Sequence, residues 1–439
     1  MELKFSKFNH YTYIDKTETL LLYNKLRNTM GYLQPISLRN LPLSIDTVPE
    51  KMMGRLRDHG FVVPASIDES IQGDDLHEKI INSSSLHFTI LTSESCNFGC
   101  QYCFDDFQRS HIKESVIQDL ITYAKRNIGQ YTEMNVAWFG GEPLLARDSL
   151  YTLSEAFIDI CRKTSRRYSA SITTNGYLLD YETFKRLLRY RVFEYIITID
   201  GTAKTHNASR PLKNGGGTFH KIIENLRCIR DHVKSQQFRI VLRTNITTDV
   251  LENLHDYLSF VQEEFGKDNR FTYLFSPVYD WGGDRINAMR GKLIDSMSDV
   301  YATLAEGDWQ LNMSALQGQL SHAICSYAQK NTYTVNTLGD VFLCPQLQEY
   351  PIGKLINGKL EIDEYKAAYW YSLSAKAIEG CKSCTDYSIC KGKSCVRNLL
   401  FFNKNPMDPA QLNCGREYAY LNDVLKVLYK MNKDSFIEL

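Results

Sequence analysis

Between residues 86 and 275, short apolar runs alternate with longer amphipathic stretches. The runs at 86–92, 134–139, 169–174, 194–200, 238–245 and 271–275 predict strands. The intervals 114–127, 150–162, 181–190, 219–232 and 250–265 carry apolar residues at helical spacing. Repeated strand–helix units require a parallel sheet, because parallel strands are joined by crossovers long enough to hold a helix. The polar and glycine-rich motifs of this region follow the first four strands in turn. That is where the loops at the C-terminal face of a (β/α) barrel would lie. The pattern therefore predicts an α/β chain built on a partial (β/α)6 TIM-like barrel over residues 86–290.

The flanks read differently. Residues 1–85 combine strand-like runs at 11–14 and 20–23 with helical patterns at 49–58 and 74–81. Gly60 followed by Phe61-Val62-Val63 reads as a helix stop and a strand. This predicts an N-terminal α+β module, either winged-helix-like and peptide-binding or a structural cap. Residues 291–439 read as helical to about 330. The chain then turns Cys-rich, with short strands at 333–336 and 341–343 and a closing helix at 417–433. Gly215-Gly216-Gly217 marks a loop, plain or substrate-gating.

Composition narrows the function classes. Lys+Arg and Asp+Glu both number 51 in 439 residues, which lacks the basic excess of a nucleic-acid binder. No apolar run approaches the length of a membrane span, and the first fifteen residues lack the apolar stretch of a signal peptide. A cytoplasmic location is expected. Twelve cysteines in a reducing compartment point to metal or cluster ligation rather than to disulfides. Cys161 and Cys228 fall in helical patterns and read as small hydrophobes.

Cys96, Cys100 and Cys103 have Cys-x3-Cys-x2-Cys spacing just past the first barrel strand. Three thiolates on one tight loop can hold three irons of a [4Fe–4S] cube and leave the fourth open. Structural zinc, the alternative, wants four closed ligands, and the loop offers no histidine to complete them. After the second strand stands Trp138-Phe139-Gly140-Gly141-Glu142-Pro143. The two glycines permit close backbone approach, and their carbonyls with Glu142 can accept from an ammonium group.

With both motifs in place, the sequence resembles the radical S-adenosylmethionine (SAM) enzymes over about residues 86–285, through CNFGCQYC and GGEP. The resemblance implies that Cys96, Cys100 and Cys103 hold a cluster whose free iron chelates the amino and carboxylate groups of SAM. Reduction of the sulfonium would release a 5′-deoxyadenosyl radical that takes hydrogen from substrate. It further implies Tyr102 and Phe104 near the adenine, Gly140 and Gly141 at the methionyl amino group, and ribose or carboxylate contacts from Thr173, Asn175, Thr198 and Arg210.

Seven more cysteines, Cys325, Cys344, Cys381, Cys384, Cys390, Cys395 and Cys414, resemble the SPASM auxiliary-cluster domain of peptide-modifying radical SAM enzymes. Four residues separate Cys390 from Cys395 where the family has three, which predicts a bulged loop. The family's interleaved pairing implies one auxiliary [4Fe–4S] cluster on Cys381, Cys384, Cys390 and Cys414, and another on Cys325, Cys344 and Cys395. The second has an iron left for substrate or for His322. Sulfatase-maturing relatives carry an Asp after the second of these cysteines, and here Pro345 follows Cys344. The expectation is therefore a maturase that cross-links a ribosomal precursor peptide through a thioether or a bond to an aromatic ring. Formylglycine formation in a sulfatase and a non-catalytic Fe–S or zinc scaffold are the alternatives. The expected partners are a precursor peptide with a leader sequence and an electron donor such as flavodoxin or ferredoxin, with neither nucleic acid nor membrane.

Overall fold

The computed structural model describes residues 2–36, 43–104, 111–280, 284–320, 325–372, 383–390 and 420–439. Six parallel strands form its centre: β6 (Leu86–Ser93), β7 (Glu133–Gly140), β8 (Arg167–Thr174), β9 (Val192–Thr198), β10 (Arg239–Ile246) and β11 (Phe271–Pro277). They pair in chain order, each parallel to the next. The helices α3 (Glu114–Asn127), α4 (Arg147–Lys163), α5 (Tyr181–Arg189), α6 (Ala203–Ser209), α7 (Phe219–His232), α8 (Thr248–Glu252) and α9 (Leu254–Phe265) lie between them in sequence. This is the partial (β/α)6 barrel that the periodicity predicts.

Alternation along the strands sorts the side chains. Phe88, Trp138, Ile172, Tyr195, Leu242 and Tyr273 are buried in the apolar layer under the helices. The opposite face carries Thr89, Ala137, Ser171, Thr198, Arg243 and Asn245. Beyond β6 the sheet continues through the parallel strand β12 (Thr332–Val335). Antiparallel β13 (Asp340–Phe342), β14 (Gly353–Ile356) and β15 (Lys359–Ile362) follow. The Cys-rich part of the chain thus begins as an extension of the barrel sheet. Among the described residues, the stretch predicted helical from 291 to 330 holds two α-helices, Ser298–Glu306 and Ser314–Leu320, and a 3-10 turn at Ser326–Ala328.

The N-terminal strands are β1 (Leu3–Phe5), β2 (Asn9–Ile14), β3 (Thr19–Asn24), β4 (Thr29–Leu33) and β5 (Val62–Pro64), with helices α1 (Glu50–Asp58) and α2 (Glu69–Ile81). β2, β3 and β4 form an antiparallel meander, and β1 pairs with β5. The meander does not end with β4. Strand β16 (Phe436–Glu438), from the far end of the chain, pairs parallel to it, and Leu439 packs over Gly31 and Phe61. No helix of the described residues is long and apolar enough to cross a membrane.

Helix α2 is a platform for the Cys-rich segments. Ala328 packs against Leu76, Ile80 and Ile81 of this helix and against Cys325. Tyr387, between Cys384 and Cys390, is buried with Phe8, donates to Asp74 and lies 4.8 Å from the His77 ring. Gly73 leaves the space for it, since a Cβ there would come within 2.9 Å of the Tyr387 ring. Lys25 is almost fully buried and donates to Asp386 at 2.6 Å. Removing the carboxylate strands a buried ammonium, so Asp386→Ala is expected to destabilise the fold by about 3 kcal/mol. A lowered urea midpoint relative to the native chain, with Lys25→Met less affected, checks it.

Candidate active site at the C-terminal face of the barrel

The loop after β6 begins at Glu94, whose carboxylate accepts from the backbone N–H of Thr337 at 3.2 Å and from its hydroxyl. Thr337 lies between β12 and β13, so this bond ties the three-cysteine loop to the sheet extension. The loop is then pinned from the other side. Gly99 N–H donates to the Pro211 carbonyl at 2.8 Å, Gln101 N–H to Ser209 at 3.0 Å, and Lys213 N–H to Asn97 at 3.0 Å. Phe98, fully buried, bridges to Leu212 and packs edge-on against Tyr177.

The segment that does the pinning is itself fixed by the motif residues after β9. Asn207 Oδ1 accepts from the N–H groups of Thr218 and Phe219 at 2.8 and 3.0 Å, which caps the start of α7. The Thr218 hydroxyl donates to the Arg210 carbonyl at 2.7 Å. Asn225 donates to the carbonyls of Gly176 and Tyr177 at 2.9 and 3.0 Å. These residues set the shape of the site from below its surface.

Cys96 and Cys100 are buried and Cys103 is half-buried, all on this one loop. Burial pushes the Cys96 thiol up to about 11. It also raises Cys100, against the opposing pull of the Arg210 charge. Phe98 N–H and Asn175 Nδ2 both donate toward the Cys96 sulfur, at 3.4 and 3.9 Å. A thiolate receiving two N–H donors beside a buried guanidinium suits ligation of a positive metal centre. Among the described residues no three His, Cys, Asp or Glu side chains converge as the ligands of a single ion would. Ligands to separate corners of a cube need not converge so closely, and the donor set fits that group.

The glycine pair sits beside the loop. Gly140 has φ +133°, and a Cβ there would fall 2.0 Å from the Ser93 carbonyl oxygen. Gly141 N–H donates to that same oxygen at 2.9 Å, and Glu142 N–H to Ser95 at 2.9 Å. Glu142 is fully buried. Its two oxygens accept from Leu144 N–H at 3.0 Å, the Thr174 hydroxyl at 2.8 Å and Asn175 N–H at 2.7 Å. Desolvation raises its pKa against these donors. The carboxylate therefore locks the loops after β7 and β8 together. Asn175 extends the lock to the cysteine loop by donating to Asn97 at 2.8 Å.

A second buried network lies after β9 and β10. Asp200 accepts from Asn245 N–H at 2.8 Å and from the Tyr102 hydroxyl. Tyr102 in turn accepts from Arg210 at 2.6 Å and Asn245 at 2.9 Å. Arg210 also lies over the Phe98 ring, 5.7 Å from its centroid. Burial raises Asp200, and Arg210 opposes that rise. Asp200 N–H donates to His206 Nδ1 at 3.1 Å, so that nitrogen is the acceptor. Burial, reinforced by the Arg210 charge, holds the His206 ring well below its ordinary pKa and neutral.

The structure thus brings Cys96, Cys100, Tyr102, Glu142, Asn175 and Arg210 into two connected networks. Thr198 is buried and is the register partner of Arg243 on β10, Thr173 is half-buried on the inner face of β8, and Phe104 is half-buried. Asn245 and Arg243 join the site although sequence reasoning did not single them out. The available signal was a charged residue and an amide alternating with apolar residues along a barrel strand. Thr174, rather than Thr173, is the threonine bonded to Glu142. In the Cys-rich part, Cys325 and Cys344 are half-buried, and Tyr327, two residues past Cys325, accepts from the Thr89 hydroxyl at 3.5 Å. Cys384 is exposed and Cys390 half-buried on the loop held by α2. Cys381, Cys395, Cys414 and His322 lie outside the described residues.

Residues 90–258 match the Radical SAM superfamily. The serine-type anaerobic sulfatase-maturating enzyme of Klebsiella aerogenes is 24% identical over 366 residues, covering 77% of this chain and 85% of that protein. The cysteine-type enzyme of Clostridium perfringens is 23% identical over 332 residues, 68% of this chain and 86% of that one. Among solved structures, native anSMEcpe with bound AdoMet and Kp18Cys peptide superposes with a TM-score of 0.57 at 19% identity, over 80% of this chain and 98% of that one. Streptococcus suis SuiB bound to precursor peptide SuiA gives 0.52 at 15% identity, over 92% and 98%. Both share this chain's fold. SAM and a [4Fe–4S] cluster are the cofactors that the matched superfamily implies. The pinned three-cysteine loop, the Gly140–Gly141 turn and the match across β6 to α9 agree: residues 90–258 are a radical SAM domain, and the chain is a radical SAM enzyme.

Proposed function

We propose that the chain is a peptide maturase that takes hydrogen from a ribosomal precursor peptide and closes an intramolecular cross-link. The bond is a thioether, or a carbon–carbon or carbon–oxygen bond to an aromatic residue. The observation that carries this choice is Pro345. It is buried directly after Cys344, at the position where sulfatase maturases place an acidic base, and it offers no side-chain acceptor for a proton. The likeness in fold to a protein solved with its precursor peptide supports the substrate class. Formylglycine formation is the second reading, favoured by the 24% identity to a sulfatase-maturating enzyme over 77% of the chain.

Cys96, Cys100 and Cys103 would hold the cluster, and Gly140 and Gly141 the amino group of SAM. When bound, the pair supplies one-electron cleavage of a sulfonium and hence a carbon radical. The chain's own residues do the rest. Glu142, Asn175 and Arg210 fix the loops around the cofactors, and the Asp200–Tyr102–Asn245 network closes the wall beside them. Thr173, Thr198 and Phe104 are the remaining candidates for contacts with SAM. Two auxiliary [4Fe–4S] clusters, one on Cys325, Cys344 and Cys395 and one on Cys381, Cys384, Cys390 and Cys414, would accept the leftover electron or bind substrate sulfur. Residues 1–85, with 86–290 and 291–439 as the other units, would receive the leader peptide by strand addition. Flavodoxin or ferredoxin in the cytoplasm would supply the electron.

Anaerobic reconstitution tests this directly. About twelve irons per chain, from three cubes, are expected. Reduction in the presence of SAM should release 5′-deoxyadenosine, and Cys100→Ala should reduce the release by at least about a thousandfold. Mass spectrometry of short peptides encoded beside the gene decides the reaction. Loss of two hydrogens without an aldehyde supports the cross-link, whereas an aldehyde favours the sulfatase-type reading.

A further inference from the structure

The lumen of a (β/α) barrel is ordinarily packed with bulky branched side chains. Here the two layers nearest the N-terminal ends of the strands are built otherwise. The strand register places Thr332, His87, Asn135 and Ser169 in one row. It places Thr334, Thr89, Ala137, Ser171 and Glu194 in the next. Nearly all are small or polar, and they leave a cavity of about 330 Å³.

Two features mark this cavity as made for a ligand rather than left unfilled. The Thr332 hydroxyl, on a residue only 3% exposed, lines the cavity and has no hydrogen-bond partner. The neighbouring Thr334 hydroxyl, fully buried, has none either. Leaving such groups unsatisfied costs free energy that a bound amide or hydroxyl would recover. The second feature is position. Four residues of β6 separate Thr89 from Ser93 beside the glycine turn, a rise of about 13 Å. The cavity therefore lies on the barrel axis below the cofactor loops. Tyr327 closes one side, where it accepts from Thr89 at 3.5 Å. Exposed Ser326 marks the rim toward solvent.

The lining also states what would bind. Hydroxyls and an amide alternate at strand spacing, as an extended backbone requires. Among the described residues the cavity has no Lys or Arg in its lining, and the carboxylate there, Glu194, is paired with Arg239. Burial lowers the His87 pKa and keeps the ring neutral. We infer that the lumen floor is a peptide subsite. It takes an extended, uncharged segment of the substrate that enters from the N-terminal ends of the strands, with its reacting residue above. This deepens the peptide-maturase reading and rests on it.

The probe is acetyl-Ser-Ala-Ser-Ala-amide, followed by saturation-transfer NMR on the reconstituted full chain. The charged counterpart acetyl-Lys-Ala-Lys-Ala-amide serves as comparison. The neutral peptide should receive saturation. Filling the floor with Ser171→Phe should reduce the signal about tenfold. Thr332→Val, which removes the orphaned hydroxyl at constant volume, should reduce it about threefold. Absence of transfer to the neutral peptide, equal transfer to the charged one, or native transfer in both variants would overturn the subsite. Thr332→Val keeps the test decisive where Ser171→Phe does not fold. Release of 5′-deoxyadenosine without peptide reads the radical chemistry separately and should stay unchanged in both variants. Its failure in the native chain would instead sink the maturase reading.

Discussion

Replacing Gly140 with alanine is expected to leave little soluble, folded enzyme. The residue occupies φ +133°, and its absent Cβ would overlap the Ser93 carbonyl oxygen at 2.0 Å. That oxygen cannot step aside, because it also accepts from Gly141 N–H at the end of the β6–β7 pairing. Backbone strain of about 1–2 kcal/mol and an overlap of about 1–3 kcal/mol fall on the same residue. The sum, about 3–5 kcal/mol, is a large share of a domain's usual stability. Gly129→Ala is the matched control, since nothing lies within 4 Å of its Cβ position and its φ is not positive. Soluble yield and thermal unfolding of the two variants, compared with the native chain, check the prediction. Equal behaviour of Gly140→Ala and Gly129→Ala would refute it.

The second large effect is expected at Arg210. Arg210→Met keeps the length of the side chain but removes the charge facing the buried Asp200 carboxylate and the donor to Tyr102. A carboxylate at 1% exposure, left with the Arg243 charge and its hydrogen bonds to Asn245 and Tyr102, should destabilise the fold by about 3 kcal/mol. The position of Tyr102, two residues past Cys100, should loosen with it, and 5′-deoxyadenosine release should fall by about a hundredfold. Asp200→Asn in the same chain removes the stranded charge. The double variant is therefore expected to regain at least about 1 kcal/mol of stability over Arg210→Met without regaining activity. Strictly additive losses would show that the two groups do not interact.

The barrel strands were legible because each is a short apolar run bounded by turn residues. The observed bounds differ mostly at the ends: β9 stops at Thr198 and β10 starts at Arg239. Helix α6 was not legible, because Ala203–Ser209 is almost wholly polar and holds the loop below the site rather than presenting an apolar stripe. Strand β4 carries Gly31 in its middle, which argues against a strand until Leu439 is seen to fill the space above it. β16 has three residues and no periodicity of its own. In the site, the cysteine and glycine motifs are contiguous and could be read directly. Tyr102 and Asp200 come from the loops after β6 and β9 and Asn245 from β10 itself, and only the closing of the sheet brings them together. Glu142 was legible as a motif residue, but its three internal donors become visible only when the β8 loop is in place.

The parallel pairing of β16 with β4 has a consequence for synthesis. While the chain is still emerging from the ribosome, the first meander is complete except for its outer edge. β4 must then wait for more than four hundred further residues before Phe436–Glu438 arrives. Through that interval its main-chain donors and acceptors are open to any extended segment nearby, which makes the nascent protein vulnerable to mispairing. Chaperone dependence during expression should accordingly track the integrity of those last few residues more closely than their number would suggest.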